Sequence, residues 1–174
     1  MRQTMLIPLM LIAAVGAVAE ERPARRIVVS IPDRKLALVE DGRLLKVYAT
    51  AVGASQTPSP AGSYTIVNRI PSPTYYAPGR AVLSGKANPL GTRWLGLSRK
   101  SLGIHGTNVP SSIGRAASHG CIRMRNRDVE DLFERVQVGD VVEIHDRHTE
   151  ELVRLFGPAP VEAPTGAALA AGVE

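Results

Sequence analysis

Short runs of β-branched and aliphatic residues, each ended by a turn signal, set the strongest limit on how this chain can fold. The first two, RIVVSIP and KLALVED, are separated by Asp33-Arg34, and GRLLKVYATAVG follows a turn at Asp41-Gly42. GSYTIVNRI, RWLGLS, LGIHGT and DVVEIHD continue the series. Many short strands with few helices are typical of a β-sandwich or β-barrel. We therefore predict a mainly β fold, a sandwich or barrel of mixed sheets with one or two helices.

One segment interrupts this pattern with the spacing of an amphipathic helix. Its apolar residues recur at intervals of three and four: Val129, Leu132, Phe133 and Val136. Asn126 stands where an N-cap is expected, and Gly139 follows the last apolar residue. We therefore predict a helix that begins after Asn126 and has ended by Gly139.

The two ends of the chain differ in composition from its middle. Arg2, an apolar run from Met5 to about Val15 and the small residues at 17–19 have the order of a secretory signal peptide. That run is shorter than the roughly 18 to 20 residues of a membrane-spanning helix, so we favour cleavage after Ala19 over a retained anchor. From Gly157 onward, Ala, Pro and Gly dominate without an apolar face, which predicts disorder. We predict a signal peptide over 1–19, one domain over 25–148 and a disordered tail over 157–174.

Cys121 is the single cysteine among 174 residues. In an exported chain it cannot form an internal disulfide, which leaves a reactive thiol, a bond to another chain, or a buried structural role. Its neighbours Ser118, His119, Gly120 and Arg123 do not resemble a core segment. We therefore interpret Cys121 as a candidate nucleophile.

Charge is distributed unevenly around this cysteine. All 16 acidic residues lie outside residues 42–127, a block that carries twelve Lys or Arg. Such a block is expected to attract an anionic substrate and to favour a thiolate. Nucleic acid is another anionic partner, but the chain has only 4% aromatic residues and no nucleic-acid motif, so we predict none.

Two histidines could activate the thiol. His105 closes the apolar segment SLGI beside Gly106, whereas His119 lies two residues before Cys121 and is better placed to line the site. We favour His105 as the base and leave His119 open. Zinc held by these three side chains is an alternative, but the sequence lacks CxxC and HExxH spacing, so we predict no metal and no cofactor.

The segment IHGTNVPSSIGRAASHGCIRM resembles the signature of the YkuD-like L,D-transpeptidase family, in which a histidine precedes an [ST]-x-G-C segment. TPSPAGSYTI and NPLGTRWLGL are also similar to family segments, so the likeness covers about residues 26–145. It implies a β-rich catalytic domain with a role in peptidoglycan biosynthesis, placed outside the cytoplasmic membrane in the periplasm or cell wall.

The resemblance also implies a reaction. Family members cleave the bond between the third residue of a stem tetrapeptide, usually a diamino acid, and the terminal D-alanine. They pass the acyl group to an amine of a neighbouring stem or of a protein such as a lipoprotein. Water as acceptor would make the chain an L,D-carboxypeptidase.

Carried onto this sequence, the resemblance implies a role for each residue of the motif. Cys121 would form a thioester, His105 would be the general acid/base, and the Gly106 carbonyl would orient the imidazole. Backbone N–H groups near Gly120 and Cys121 are expected to stabilise the oxyanion, and Arg123 to bind a stem carboxylate. The remaining substrate-binding candidates are His119, Ser118 and Gly120.

Three other classes fit less well. A sortase-like transpeptidase has the order His, Cys, Arg but a wider spacing than the 16 positions between His105 and Cys121. An NlpC/P60-type peptidase has its cysteine before its histidine. A catalytically idle wall-binding module has no need of His105, Gly120, Cys121 and Arg123 together.

Overall fold

The computed structural model describes residues 24–158 of the chain, so the predicted signal peptide and nearly all of the predicted tail lie outside it. The strands, in chain order, are β1 Arg25–Ser30, β2 Lys35–Glu40, β3 Arg43–Gly53, β4 Gly62–Pro71, β5 Tyr75–Ala77, β6 Arg80–Val82, β7 Arg93–Leu97, β8 Gly103–His105, β9 Ala116–Ser118, β10 Ile122–Met124 and β11 Val141–His145. The helices are α1 Asn126–Arg135 and α2 Glu150–Phe156, and a 3-10 turn spans Pro110–Ser112.

Nine of these strands form one sheet in the order β10-β8-β7-β4-β11-β1-β2-β3-β9. The sheet closes on itself because Thr50 and Ala51 of β3 also pair with Met124 and Arg123 of β10. The pairs β1–β11, β8–β10 and β3–β9 are parallel, and the other pairs in the sheet are antiparallel. This closed, barrel-like mixed sheet with two helices confirms the predicted fold class.

Strands β1 and β2 are covered on both faces, which explains their continuous apolar runs. Ile27 and Val29 belong to the main core, whereas Val28 packs in a second cluster with Leu152 of α2. Full burial of Leu152 stabilises the fold by about 1.5 to 3 kcal/mol. Because α2 begins after His148, the packed structure continues past the predicted end of the domain. No helix within residues 24–158 is long and apolar enough to cross a membrane.

Helix α1 buries the apolar face that its sequence predicts, but its boundaries differ from the prediction. The N-cap is Arg125, and Asn126 is the first helical residue. The Asn126 side chain does not cap its own helix, because its Oδ1 accepts a hydrogen bond from the Thr107 N–H at 3.1 Å. The helix ends with Val136 as C-cap, and Gly139, at φ +96°, lies in the turn before β11.

Candidate active site

Two neighbouring parallel strands bring the predicted site residues together. His105 at the end of β8 pairs with Arg123 of β10, and Cys121 directly precedes β10. Side chains alternate between faces along a strand, so Cys121 and Arg123 point to the same face as His105. All three line one pocket of about 310 Å³. The other residues of its lining are Tyr75, Pro89, Leu90, Ser118 and His119.

Cys121 also borders a second, more apolar pocket of about 480 Å³. This pocket shares Tyr75 and Leu90 with the first and continues along Trp94 and Ser101. The thiol therefore lies where two clefts meet, and a peptide bond placed at the sulfur could extend into either of them.

His105 is buried, with 5% of its surface exposed. Its Nδ1 lies 2.6 Å from the carbonyl oxygen of Gly106, so Nδ1–H is the donor and Nε2 of the neutral ring is the proton acceptor. The ring stacks on Trp94 with centroids 5.7 Å apart. Burial lowers the pKa of His105 to about 4; the positive charge of Arg123 acts in the same direction, and the carbonyls of Gly106 and Leu90 oppose both. The imidazole is therefore neutral at neutral pH.

Cys121 is partly buried and contacts the turn between β7 and β8. Its Sγ donates to the carbonyl oxygen of Ser101 at 3.4 Å. Burial raises the pKa of the Cys121 thiol, against the opposing effects of the Gly103 N–H and the charge of Arg123. The expectation that the basic block favours a thiolate is therefore wrong for the resting site, because desolvation of the sulfur outweighs the nearby charge.

Hydrogen bonds between the Ser118 side chain and the backbone hold the cysteine loop, residues 118–121, in one conformation. Ser118 is buried, and its hydroxyl donates to the Cys121 carbonyl at 2.5 Å while accepting from the Gly120 N–H at 3.1 Å. These bonds favour a loop-holding role for Ser118 over a contact with substrate. They also occupy the Gly120 N–H, so the prediction of an oxyanion donor in this loop now rests on the Cys121 N–H. Gly120 has φ +110°, a conformation that favours glycine.

The loop between β3 and β4 packs against the cysteine loop and donates two hydrogen bonds to its backbone. The Thr57 hydroxyl donates to the Ser118 carbonyl at 3.1 Å, and the Ser59 hydroxyl donates to the Gly120 carbonyl at 2.8 Å. Both residues belong to the segment TPSPAGSYTI, whose sequence alone predicts no role for either of them. Both partners lie 61 positions away, so no local signal could have identified these contacts.

Asn126 joins the end of β10 to the segment that follows His105. Besides the bond to Thr107, its Oδ1 lies against Gly106, where an added Cβ would be only 2.2 Å from it. The same atom would be 2.1 Å from a Cβ on Gly91. These contacts explain why glycines border the predicted base on this side.

His119 is exposed at the rim of the first pocket. It lies between β9 and β10, within the cysteine loop, and it lines the site as its position in the sequence predicts.

Comparison with known proteins places this fold and site in a family. The family model described as the YkuD L,D-transpeptidase catalytic domain matches residues 24–144. The chain belongs to the YkuD family. A Bacillus licheniformis protein named L,D-transpeptidase YkuD is 48% identical over 119 residues, which are 68% of this chain and 64% of that protein. The chain thus spans less than two thirds of that relative's length.

Solved structures resemble this YkuD domain in fold. An L,D-transpeptidase from Mycobacterium tuberculosis H37Rv superposes with a TM-score of 0.61 and 24% identity, over 71% of this chain and 58% of that chain. Another L,D-transpeptidase, solved in complex with imipenem, has a TM-score of 0.60 and 19% identity, over 71% of this chain and 59% of that chain. At these identities the likeness concerns the fold alone.

Away from the YkuD site, three metal-ligand side chains lie close together. The ligand atoms of Glu143, His145 and Glu151 are all within 4.8 Å of one another. However, the Arg26 guanidinium pairs with Glu143 at 2.7 Å and also with Glu151. Both carboxylates therefore already have a cationic partner, and a metal would have to displace it.

We expect alkylation of Cys121 by iodoacetamide to accelerate about tenfold per pH unit from about pH 6 to about pH 8.5, because only the thiolate reacts and the pKa of this thiol is raised. The rate can be followed by intact mass, since the chain has one cysteine. A plateau below pH 7 would instead indicate a resting thiolate–imidazolium pair and would contradict this description of the site.

Proposed function

We propose that this YkuD-family domain is a cysteine L,D-transpeptidase that acts on the tetrapeptide stems of peptidoglycan. The observation that carries the proposal is a single pocket lined by the Cys121 thiol and by His105, whose ring is held by the Gly106 carbonyl. A nucleophile beside an oriented base is the arrangement that acyl transfer requires. Family membership supports the choice of substrate.

The first half of the reaction forms a thioester. Both groups are neutral at rest, so the Cys121 proton passes to His105 Nε2 as the sulfur attacks the carbonyl of the third stem residue. The Cys121 N–H stabilises the resulting oxyanion. The tetrahedral intermediate then collapses: the C–N bond breaks, His105 returns its proton to the departing amine, and D-alanine leaves.

Arg123 binds a carboxylate of the stem in this proposal. Arg123 lines the same pocket as both reacting groups, and its charge lowers the pKa of His105. A bound carboxylate neutralises much of that charge, so the imidazole accepts a proton more readily when substrate is present. Substrate binding thus makes the imidazole a stronger base, and the same neutralisation removes the effect by which Arg123 lowers the pKa of Cys121, so the thiol keeps its proton until the base takes it.

In the second half, an amine attacks the thioester carbonyl. His105 Nε2 takes the proton of the amine, a new amide bond forms, and the proton returns to the sulfur of Cys121 as it leaves. The acceptor in this proposal is the amine of a second stem or of a protein such as a lipoprotein. The domain would act in the periplasm or cell wall, to which the signal-like N-terminus would direct it.

The test is incubation of the protein with purified disaccharide tetrapeptide, followed by mass spectrometry of the products. We expect release of D-alanine together with tripeptide–tetrapeptide dimers, and no product with Cys121→Ala. Tripeptide without dimers would assign the carboxypeptidase reaction instead. Absence of any product from folded protein, both alone and with added D-methionine as acceptor, would contradict the proposed function.

A further inference from the structure

Ser59 lies buried beneath the cysteine loop and bridges two backbone segments. Only 4% of its surface is exposed. Its hydroxyl accepts from the Gly53 N–H at 2.8 Å and donates to the Gly120 carbonyl at 2.8 Å. The hydroxyl hydrogen is thus directed at one acceptor, the Gly120 oxygen.

The Gly120 carbonyl belongs to the same peptide unit as the Cys121 N–H. No cis peptide bond occurs in residues 24–158, so this unit is trans and planar, and its C=O and N–H point in opposite directions. A bond that fixes the carbonyl therefore fixes the direction of the N–H. Gly120 has no Cβ, so its backbone rotates more freely than that of other residues, and the bond from Ser59 restrains the peptide unit that follows it.

We propose that Ser59 is a positioning residue that holds the Cys121 N–H toward the oxyanion formed during acyl transfer. The inference rests on the proposed function, because it concerns the same site. The Gly120 N–H is already bonded to Ser118, so the direction of the Cys121 N–H decides how much charge this loop can stabilise. Oxyanion donors act only when they are aimed before the reaction begins.

The size of the effect follows from what one such donor contributes. Removing a single oxyanion-hole donor slows acyl transfer by about 10² to 10³-fold. The Ser59→Ala change keeps the Cys121 N–H but removes the hydrogen bond to the Gly120 carbonyl that fixes its direction. We therefore expect acylation to slow by about 10 to 100-fold, a fraction of that loss.

Two reactions of the same thiol separate this role from a general loosening of the site. Imipenem acylates through an oxyanion: the sulfur bonds to the β-lactam carbonyl carbon, the ring C–N bond breaks, and the thiol proton ends on the ring nitrogen. Iodoacetamide alkylates by displacing iodide, with no oxyanion, and the proton goes to solvent. For Ser59→Ala we expect slow acylation but alkylation within about threefold of wild type across pH.

Thr57→Val is the matched control. Thr57 lies in the same loop and donates a similar bond to the Ser118 carbonyl, a peptide unit that does not contain the Cys121 N–H. That carbonyl also keeps a bond from the Ala54 N–H at 2.9 Å. We expect both reactions of Thr57→Val to stay near wild-type rates. Equal acylation by Ser59→Ala and wild type, or equal slowing of both reactions, would overturn the proposal.

A second measurement uses the lone cysteine and does not depend on how the variant folds. Labelling with ¹⁵N-cysteine gives one backbone amide signal, that of Cys121. We expect its hydrogen exchange to be slower in the wild-type imipenem adduct than in the adduct with methyl methanethiosulfonate, which brings no carbonyl oxygen. Equal exchange in the two adducts would overturn the proposal.

Ser59→Thr completes the set, because it keeps the hydroxyl and should retain acylation within about threefold of wild type. If Ser59→Ala does not fold, slow acylation of folded Ser59→Thr would count against the proposal. If imipenem acylates the wild-type protein and Ser59→Ala at the same rate, only the role of Ser59 is ruled out, and the proposed function stands. A wild-type protein that neither imipenem nor tetrapeptide acylates would remove the proposed function and this inference with it.

Discussion

Replacing His105 with glutamine is expected to slow acylation of Cys121 by imipenem by about 10² to 10⁴-fold, and Cys121→Ala to abolish the adduct. The thiol is neutral at rest and its pKa is raised, so attack needs a group that removes its proton. The imidazole can do this because Nδ1–H is held by Gly106, which leaves Nε2 as acceptor. Glutamine can still donate to that carbonyl but cannot take a proton. Intact mass against time measures the rate.

His119→Ala decides between the two candidate bases. His119 lines the same pocket but is exposed, so we expect its loss to slow acylation far less than His105→Gln does. The reverse ranking would assign the base to His119 and contradict the proposed mechanism. Alkylation by iodoacetamide at about pH 9 is the control for both variants, since it consumes thiolate formed by proton exchange with solvent and needs no histidine to take the proton.

The long strands were predictable because their signal is local. β1 to β4 carry six to eleven residues each, and turn residues separate them. The strands β5, β6, β9 and β10 have only three residues each and lacked such a signal. β10 is a strand because β3 and β8, both distant in sequence, lie on either side of it. Closure of the barrel therefore depends on contacts that no local pattern records.

The residues of the candidate site could be predicted from the sequence, but the residues that hold them in place could not. The motif around His105 and Cys121 predicts these two residues as the reacting groups through family resemblance, whereas their proximity depends on the parallel pairing of β8 with β10. Ser59 and Asn126 hold the two halves of the site through bonds between distant segments. For Asn126 the local pattern was misleading, since an asparagine before an amphipathic run usually caps that helix.

Charge and burial gave opposite answers for the thiol. The absence of acids over residues 42–127 is a sequence property and favours a thiolate. Burial of the sulfur depends on the fold, and it raises the pKa of Cys121 more than the charge of Arg123 lowers it. In the proposed mechanism, proton transfer to His105 during attack lets a thiol that is protonated at rest act as the nucleophile.

Gly53→Ala is expected to destabilise the domain by about 3 kcal/mol or more and to reduce acylation of the protein that remains folded. An added Cβ would lie 2.3 Å from Ser59 N, 2.3 Å from Thr57 O and 2.6 Å from Pro58 C. All three are backbone atoms, so no side-chain rotation can relieve the clash. The loop between β3 and β4 must move, and Ser59 moves with it. Guanidinium unfolding followed by fluorescence of Trp94, the single tryptophan, measures the loss.

Gly42→Ala, at the other end of the same strand, is the matched control. Gly42 has φ +76° and open space around its added Cβ, so alanine there meets conformational strain alone, about 1 to 2 kcal/mol. It lies far along β3 from the cysteine loop, so acylation by the folded fraction should not change. If Gly53→Ala cost no more than Gly42→Ala, the loop could yield to the added methyl. The rigid platform that this structure places beneath Cys121 would then be ruled out, because a loop that yields so easily could not hold the Gly120–Cys121 peptide in one direction.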